Sequence, residues 1–136
     1  MKERDIIYGA WLNFFGSHVQ ITGIQEGQLY SRHTGWMDID KFEPIPITEE
    51  ILAKNGFTYW KEKVKGRKQK KEKIYKKILR NEDGTARLCC LYLYPDGTWR
   101  NLYLGKQRFT YVHQLQYAYN MAERDDFVEI FENWEI

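Results

Sequence analysis

Thr85-Ala-Arg-Leu-Cys-Cys-Leu-Tyr-Leu-Tyr-Pro-Asp-Gly-Thr-Trp-Arg-Asn-Leu-Tyr-Leu104 is the stretch whose reading decides the fold. Two β-prone runs, 85–94 and 98–104, flank Pro95-Asp96-Gly97. Proline presets one backbone angle, aspartate bonds its own backbone and glycine accepts positive φ, so the three together predict a turn and the runs an antiparallel hairpin. Upstream, Asn81-Glu82-Asp83-Gly84 is a second turn, which makes Lys73–Arg80 the expected preceding strand of a β meander. Its register stays open, because Ile74, Lys76, Ile78 and Arg80 do not separate an apolar from a polar face.

Toward the N-terminus, short β-like runs are punctuated by glycine: Asp5–Tyr8, Trp11–Phe15, His18–Ile24, Gln28–Ser31 and Trp36–Phe42, with Gly9, Gly16, Gly23, Gly27 and Gly35 as the expected turns. This predicts a second antiparallel meander of SH3-like half-barrel type. Pro44-Ile45-Pro46-Ile47 is extended, since proline removes ladder donors and disfavours helix in the residue before it. A short helix follows: Thr48 is a good N-cap, Glu49 and Glu50 suit the first turn, Lys54 and Gly56 close the far end, and Ile51 and Leu52 face the core.

Near the C-terminus, Val112, Leu115, Tyr119 and Ala122 recur at spacings of three and four, predicting an amphipathic helix capped by Thr110 with His113, Gln114, Gln116, Asn120 and Glu123 on its polar face. Residues 127–136 alternate as a final strand. The expected class is therefore α+β: a half-barrel meander, a short central helix, a second meander and a C-terminal amphipathic helix. A chain of 136 residues is expected to form a single domain, with 1–57 as an N-terminal β subregion plus the short helix and 58–136 as basic hairpin, meander and helix.

Net charge is only +2, yet residues 61–80 hold eleven Lys and Arg against two Glu, a local +9 that leaves −7 for the rest. Such runs bind phosphate by neutralising charge and releasing counterions, and aromatic rings beside them add base stacking. Trp60, Lys65, Arg67, Lys68, Lys70, Lys71, Lys73 and Tyr75 are the candidates here. The bland alternative is a solvated hairpin loop around Gly66, and docking to an acidic protein surface is a third reading. Aromatics are also dense at Tyr92, Tyr94, Trp99, Tyr103, Tyr111, Tyr117 and Tyr119. With Arg100 and Arg108 nearby in sequence, Trp99 adds a candidate stacked pocket, against the alternative of a small core padded with rings.

Cys89 and Cys90 are adjacent, so on a strand they point to opposite faces: one packed thiol and one half-exposed thiol, not a disulfide. Two cysteines and the scattered His18, His33 and His113 make no zinc pattern, and no cofactor is expected. Asp38 and Asp40 would share one strand face, where two alternating acids usually meet solvent. Ser17-His18 and Ser31-Arg32-His33 lack a partner that would complete a nucleophile and base. With no Walker loop and no Gly-x-Gly-x-x-Gly, no enzyme is expected. No apolar run approaches the roughly 20 residues of a membrane span, and Met1-Lys2-Glu3-Arg4-Asp5 does not begin a signal peptide, so a cytoplasmic location is expected.

Two further blocks, Glu43-Pro-Ile-Pro-Ile-Thr-Glu-Glu-Ile-Leu-Ala-Lys-Asn-Gly-Phe57 and Tyr111-Val-His-Gln-Leu-Gln-Tyr-Ala-Tyr119, resemble signatures of uncharacterised small proteins from phages, prophages and mobile elements of gut anaerobes. That family carries an opening Gly-Asn-aromatic-Val strand, a PIPLTEEILLKNGF block and a YVHQLQNLYF helix. Gly9-Ala10-Trp11-Leu12 departs from the first, and Tyr117 stands where the helix signature has asparagine. No activity travels with the resemblance. It implies phage or mobile-element origin in a bacterial host, and so a binding protein that occupies a host factor, as an inhibitor of host defence, or sequesters a nucleotide. The alternative is a nucleic-acid-binding accessory protein using residues 61–80, and an open sheet edge would admit a homodimer.

Overall fold

The computed structural model describes residues 3–65, 70–80 and 84–122. They form an α+β fold with two antiparallel five-stranded sheets and two helices. The chain divides into two compact units: the first takes residues 1–46 and 111–136, and the second, 47–110, is inserted between them in sequence. The short helix expected beside the N-terminal strands thus belongs to the second unit.

In the first unit the strands are β1 (Trp11–Phe14), β2 (Ser17–Gln25), β3 (Gln28–Ser31), β4 (Gly35–Asp38) and β5 (Phe42–Glu43), in the spatial order β4-β3-β2-β1-β5. The last strand closes back on the first, with Phe14 opposite Phe42, and the sheet curls into a half-barrel. Trp36–Phe42 is therefore not one strand. A 3-10 turn at Ile39–Lys41 interrupts it, with Ile39 N–H donating to Gly27 C=O, and redirects the chain to the other edge. Asp38 and Asp40 consequently do not alternate along a strand.

The expected strand Asp5–Tyr8 is replaced by a 3-10 turn at Glu3–Asp5 and a tight turn in which Ala10 N–H donates to Ile7 C=O, with Gly9 at φ 92°. Gly23 is not a turn either. It lies inside β2 at a register shift after Ile21, where a Cβ would meet Tyr30 Cβ at 2.9 Å and the Trp36 ring at 3.0 Å. Glycine here answers a close approach, and the bulge bends the strand.

The core of this unit is Ile6, Ala10, Leu12, Val19, Ile21, Leu29 and Phe42, and helix α2 (Val112–Ala122) brings Val112, Leu115 and Tyr119 as its buried stripe. The helix starts one residue later than expected. Tyr111, not Thr110, holds the cap position, and Gln114 Oε1 accepts the Tyr111 N–H as in half of a capping box. Its supposed polar face is also partly interior: His113 and Gln116 are buried. Gln116 explains why, since its Oε1 accepts Trp11 N–H at 2.9 Å and its Nε2 donates to Gly9 C=O at 3.0 Å, tying α2 to the start of β1. The extended run before the insertion holds as well, with Pro46 bridged to Tyr111. Glu123 and the expected strand at 127–136 lie outside the described residues.

The second unit contains α1 (Glu49–Lys54), β6 (Thr58–Lys65), β7 (Lys70–Arg80), β8 (Ala86–Leu93), β9 (Trp99–Asn101) and β10 (Arg108–Phe109), in the order β10-β9-β8-β7-β6. Thr48 caps α1, its hydroxyl accepting Ile51 N–H at 3.1 Å, and Leu52 points inward. The Pro95-Asp96-Gly97 hairpin forms as read, closed by Tyr94 N–H to Thr98 C=O at 3.0 Å. Its second arm stops at Asn101, because the buried Asn101 side chain takes over the bonding: Nδ2 donates to Cys90 C=O and Oδ1 accepts Leu104 N–H, turning Leu102–Leu104 into a 3-10 turn. Leu52, Phe57, Tyr75, Leu79, Cys89, Leu91, Trp99 and Phe109 fill this unit's core. The turn residues Asn81, Glu82 and Asp83 lie outside the described residues. Among the described residues no helix is long and apolar enough to cross a membrane.

Candidate binding face

The second sheet has one packed face and one outer face, and strand register assigns residues to each. On the packed face Tyr75 sits opposite Leu91 and Lys77 opposite Cys89, while Leu91 pairs on with Asn101. One residue along, everything reverses. Lys61, Ile74, Tyr92, Arg100 and Arg108 are successive cross-strand partners and form a row across all five strands, while Lys76 pairs with Cys90 and Ile78 with Leu88. Cys89 is buried and Cys90 half-buried, on opposite faces as read.

β6 does not alternate cleanly. A register shift between Tyr59, opposite Tyr75, and Lys61, opposite Ile74, leaves Trp60 as an extra residue. A bulge of this kind re-aims side chains and bends the strand. The result is that Trp60 and Lys61 share the outer face. The ammonium of Lys61 lies 4.4 Å and that of Lys76 5.0 Å from the centroid of the indole, so two cations from two strands flank one ring. Trp60 is still 44% exposed, and farther along the same face Ile78 and Leu88 are 60% and 53% exposed. Ile74 and Glu72 on that face are buried. Burial raises the Cys90 thiol pKa, opposed by Lys76, and burial, followed by Cys90, raises the Tyr92 phenol, opposed by Arg100.

The candidate residues separate accordingly. Trp60 stands on the outer face. Trp99 does not: it is 1% exposed, its indole N–H donating to Ile47 C=O at 2.9 Å, so the ring is core rather than platform. Tyr75 and Lys73 point to the packed side, where Tyr75 O–H donates to Glu49 and Lys73 Nζ lies 3.5 Å from the same carboxylate. Burial, followed by the bond and charge of Glu49, pushes the Tyr75 phenol far upward, which marks a proton held in place.

Arg100 and Arg108 do reach the outer face, but they brace the hairpin tip. Arg100 Nε donates to Gly105 C=O at 3.0 Å and Nη1 to Tyr94 Oη at 3.2 Å. The Arg108 guanidinium stacks 3.3 Å over Tyr94, donates to Thr98 Oγ1 and sits 3.8 Å from Asp96. The Asp96 carboxyl is held below its usual range, first by the Thr98 hydroxyl and backbone N–H, with Arg108 adding to them.

Lys65, Lys70 and Lys71 lie where β6 and β7 pair at their far end, Lys65 opposite Lys70. Their side chains, with Arg67, Lys68 and the loop at Gly66, are outside those described. What residue-type reasoning missed are Lys61, Lys76, Ile78 and Leu88. The signal was present in the undivided alternation of 74, 76 and 78, which share the outer face with Lys61 and Leu88.

Other polar candidates are structural. Ser31 Oγ pairs with Thr34 Oγ1 at 2.7 Å across a turn. His113 stacks on Tyr111, and burial, partly offset by the charge of Asp5, lowers its pKa to about 4, so it is neutral at pH 7. Among the described residues no group of three or more His, Cys, Asp or Glu is placed to hold a metal ion. Comparison with protein-family models, curated proteins and solved structures gives no match.

Proposed function

We propose that this chain is a non-enzymatic binding protein whose working surface is the outer face of the β10-β9-β8-β7-β6 sheet and whose partner is anionic there. The observation that carries this reading is the exposed Trp60 ring flanked by the ammoniums of Lys61 and Lys76. On the same face are Ile78, from the segment 61–80 whose local charge is +9, and its exposed cross-strand partner Leu88. An exposed aromatic with neighbouring aliphatic groups supplies area at small entropic cost, and the surrounding lysines steer an anionic partner and set its register. The resemblance of residues 43–57 and 111–119 to phage and mobile-element proteins supports a role in occupying a host component.

The test is retention of the full chain on immobilised heparin, used as a generic polyanion, against salt. Wild-type protein is expected to bind, and the double substitution K61E/K76E to elute at distinctly lower salt with an unchanged circular dichroism spectrum. Equal elution of the two would remove this face from the function.

A further inference from the structure

We propose that the anionic partner is single-stranded nucleic acid, with an unpaired base stacked on Trp60 and the adjoining phosphates on Lys61 and Lys76. This rests on the binding face proposed above and adds the identity of its occupant.

Three observations select among partners. First, residues 61–80 concentrate eleven cations against two Glu on one pair of adjacent strands and their connection. A second copy of this chain would bring Lys61 and Lys76 against their own counterparts, so self-association through this face is opposed by charge. A backbone with one negative charge per nucleotide matches that density, and each neutralised phosphate releases counterion.

Second, the geometry alternates ring and cation. Trp60 projects from a bulge on the edge strand, with Lys61 next in sequence and Lys76 across the ladder, at 4.4 and 5.0 Å from its centroid. A stacking base would take the ring surface and turn both ammoniums outward to the phosphates that flank it. Stacking of this kind needs an unpaired base, because a duplex hides its faces and would meet the lysines alone. Third, Ile78 and Leu88 continue the exposed face beyond Lys76, giving apolar ground for a neighbouring base or sugar where a purely phosphate-binding patch would be polar.

Fluorescence anisotropy of the full chain with a labelled 15-nucleotide oligothymidine, and with a duplex of the same length, tests this. Tighter binding to the single strand is expected, with log affinity falling linearly with log salt. W60A should weaken single-strand binding about tenfold and leave duplex binding unchanged, while W60F, which keeps a ring, should recover most of the loss. K61Q and K76Q should each lower the salt slope by about 0.7, the value for one lost single-strand phosphate contact. Absence of oligonucleotide binding, equal affinity for duplex and single strand, or indifference to W60A would overturn the proposal. If oligonucleotides fail while heparin retention still depends on Lys61 and Lys76, the anionic face stands and only its occupant is refuted, leaving an acidic protein surface. Loss of both removes the face as well.

Discussion

Protonating His113 works against the fold. Its imidazole is buried on α2, Nδ1 has no hydrogen-bond partner among the described residues, and its pKa is lowered to about 4 from an unfolded value near 6.5. Between those two values the unfolded chain binds more protons than the folded one, so stability is complete above about pH 6.5 and falls as pH drops toward 4. The full loss is of order 3 kcal/mol, and the urea midpoint is expected to fall markedly from pH 7 to pH 5 and to stay nearly flat from pH 7 to pH 8. In H113F the fall from pH 7 to pH 5 should shrink; an equally steep one would place the acid sensitivity elsewhere. Phe15 is the complementary case. It occupies the left-handed region at φ 48°, followed by Gly16 at φ 88°, in the two-residue β1–β2 turn, and it is 78% exposed. Such a turn favours Asn or Gly at its first position, and a bulky residue there is strained by about 1 kcal/mol or more. F15N is therefore expected to raise the thermal midpoint by several degrees. An unchanged or lowered midpoint would mean that the edge-on contact of Phe15 with Phe14, at 4.7 Å, offsets the strain.

Between elements, the Gln116 side chain ties α2 to the start of β1. Gln116 occupies the backbone N–H of Trp11 and shares the carbonyl of Gly9 with Gln20 Nε2, so Q116A removes two partly buried hydrogen bonds and should destabilise the protein by about 1–3 kcal/mol, whereas a loss under about 0.5 kcal/mol would show that Gln20 and water replace it. Residue pattern alone could not supply this contact, because Gln116 reads as one more polar residue opposite the apolar stripe, and the groups it serves are about a hundred positions away. The same division runs through the fold. Elements whose cause is local were legible: the Pro95-Asp96-Gly97 hairpin, the Thr48-capped helix and the stripe of Val112, Leu115 and Tyr119. Elements whose cause is distant were not, among them the return of β5 to β1, the glycine beneath Trp36 and the 3-10 turn organised by Asn101. The candidate face was legible in part. Trp60 stands out as a ring at the mouth of a basic run, but its juxtaposition with Lys76 depends on a bulge and a register that composition does not encode, while Trp99, equally conspicuous in sequence, is consumed by the core.

At the scale of the molecule, the insertion of residues 47–110 into the first unit was the least legible feature. Pro44–Ile47 reads as an extended run and Thr110 as a helix cap, and neither announces a boundary. The boundary shows only once the ends of the segment are adjacent: Ile47 N–H donates to Thr110 C=O at 2.9 Å, and Trp99 anchors its indole on the Ile47 carbonyl. A segment that begins and ends at one place, with its own sheet, helix and buried residues, meets the conditions for folding by itself, although its length is close to the lower limit at which a core suffices. Residues 47–110 expressed alone are expected to give a cooperative urea transition of roughly 3–5 kcal/mol, with dispersed indole N–H resonances. Replacing Trp99 tests whether its core is what holds it. W99A removes about 3–5 kcal/mol when a ring of that size is fully buried, as much as such a fragment holds, so the variant should lose the transition outright. A fragment that unfolds without cooperativity would make the inserted segment dependent on the rest of the chain. If W99A instead keeps the transition, the buried ring is not what holds the segment together.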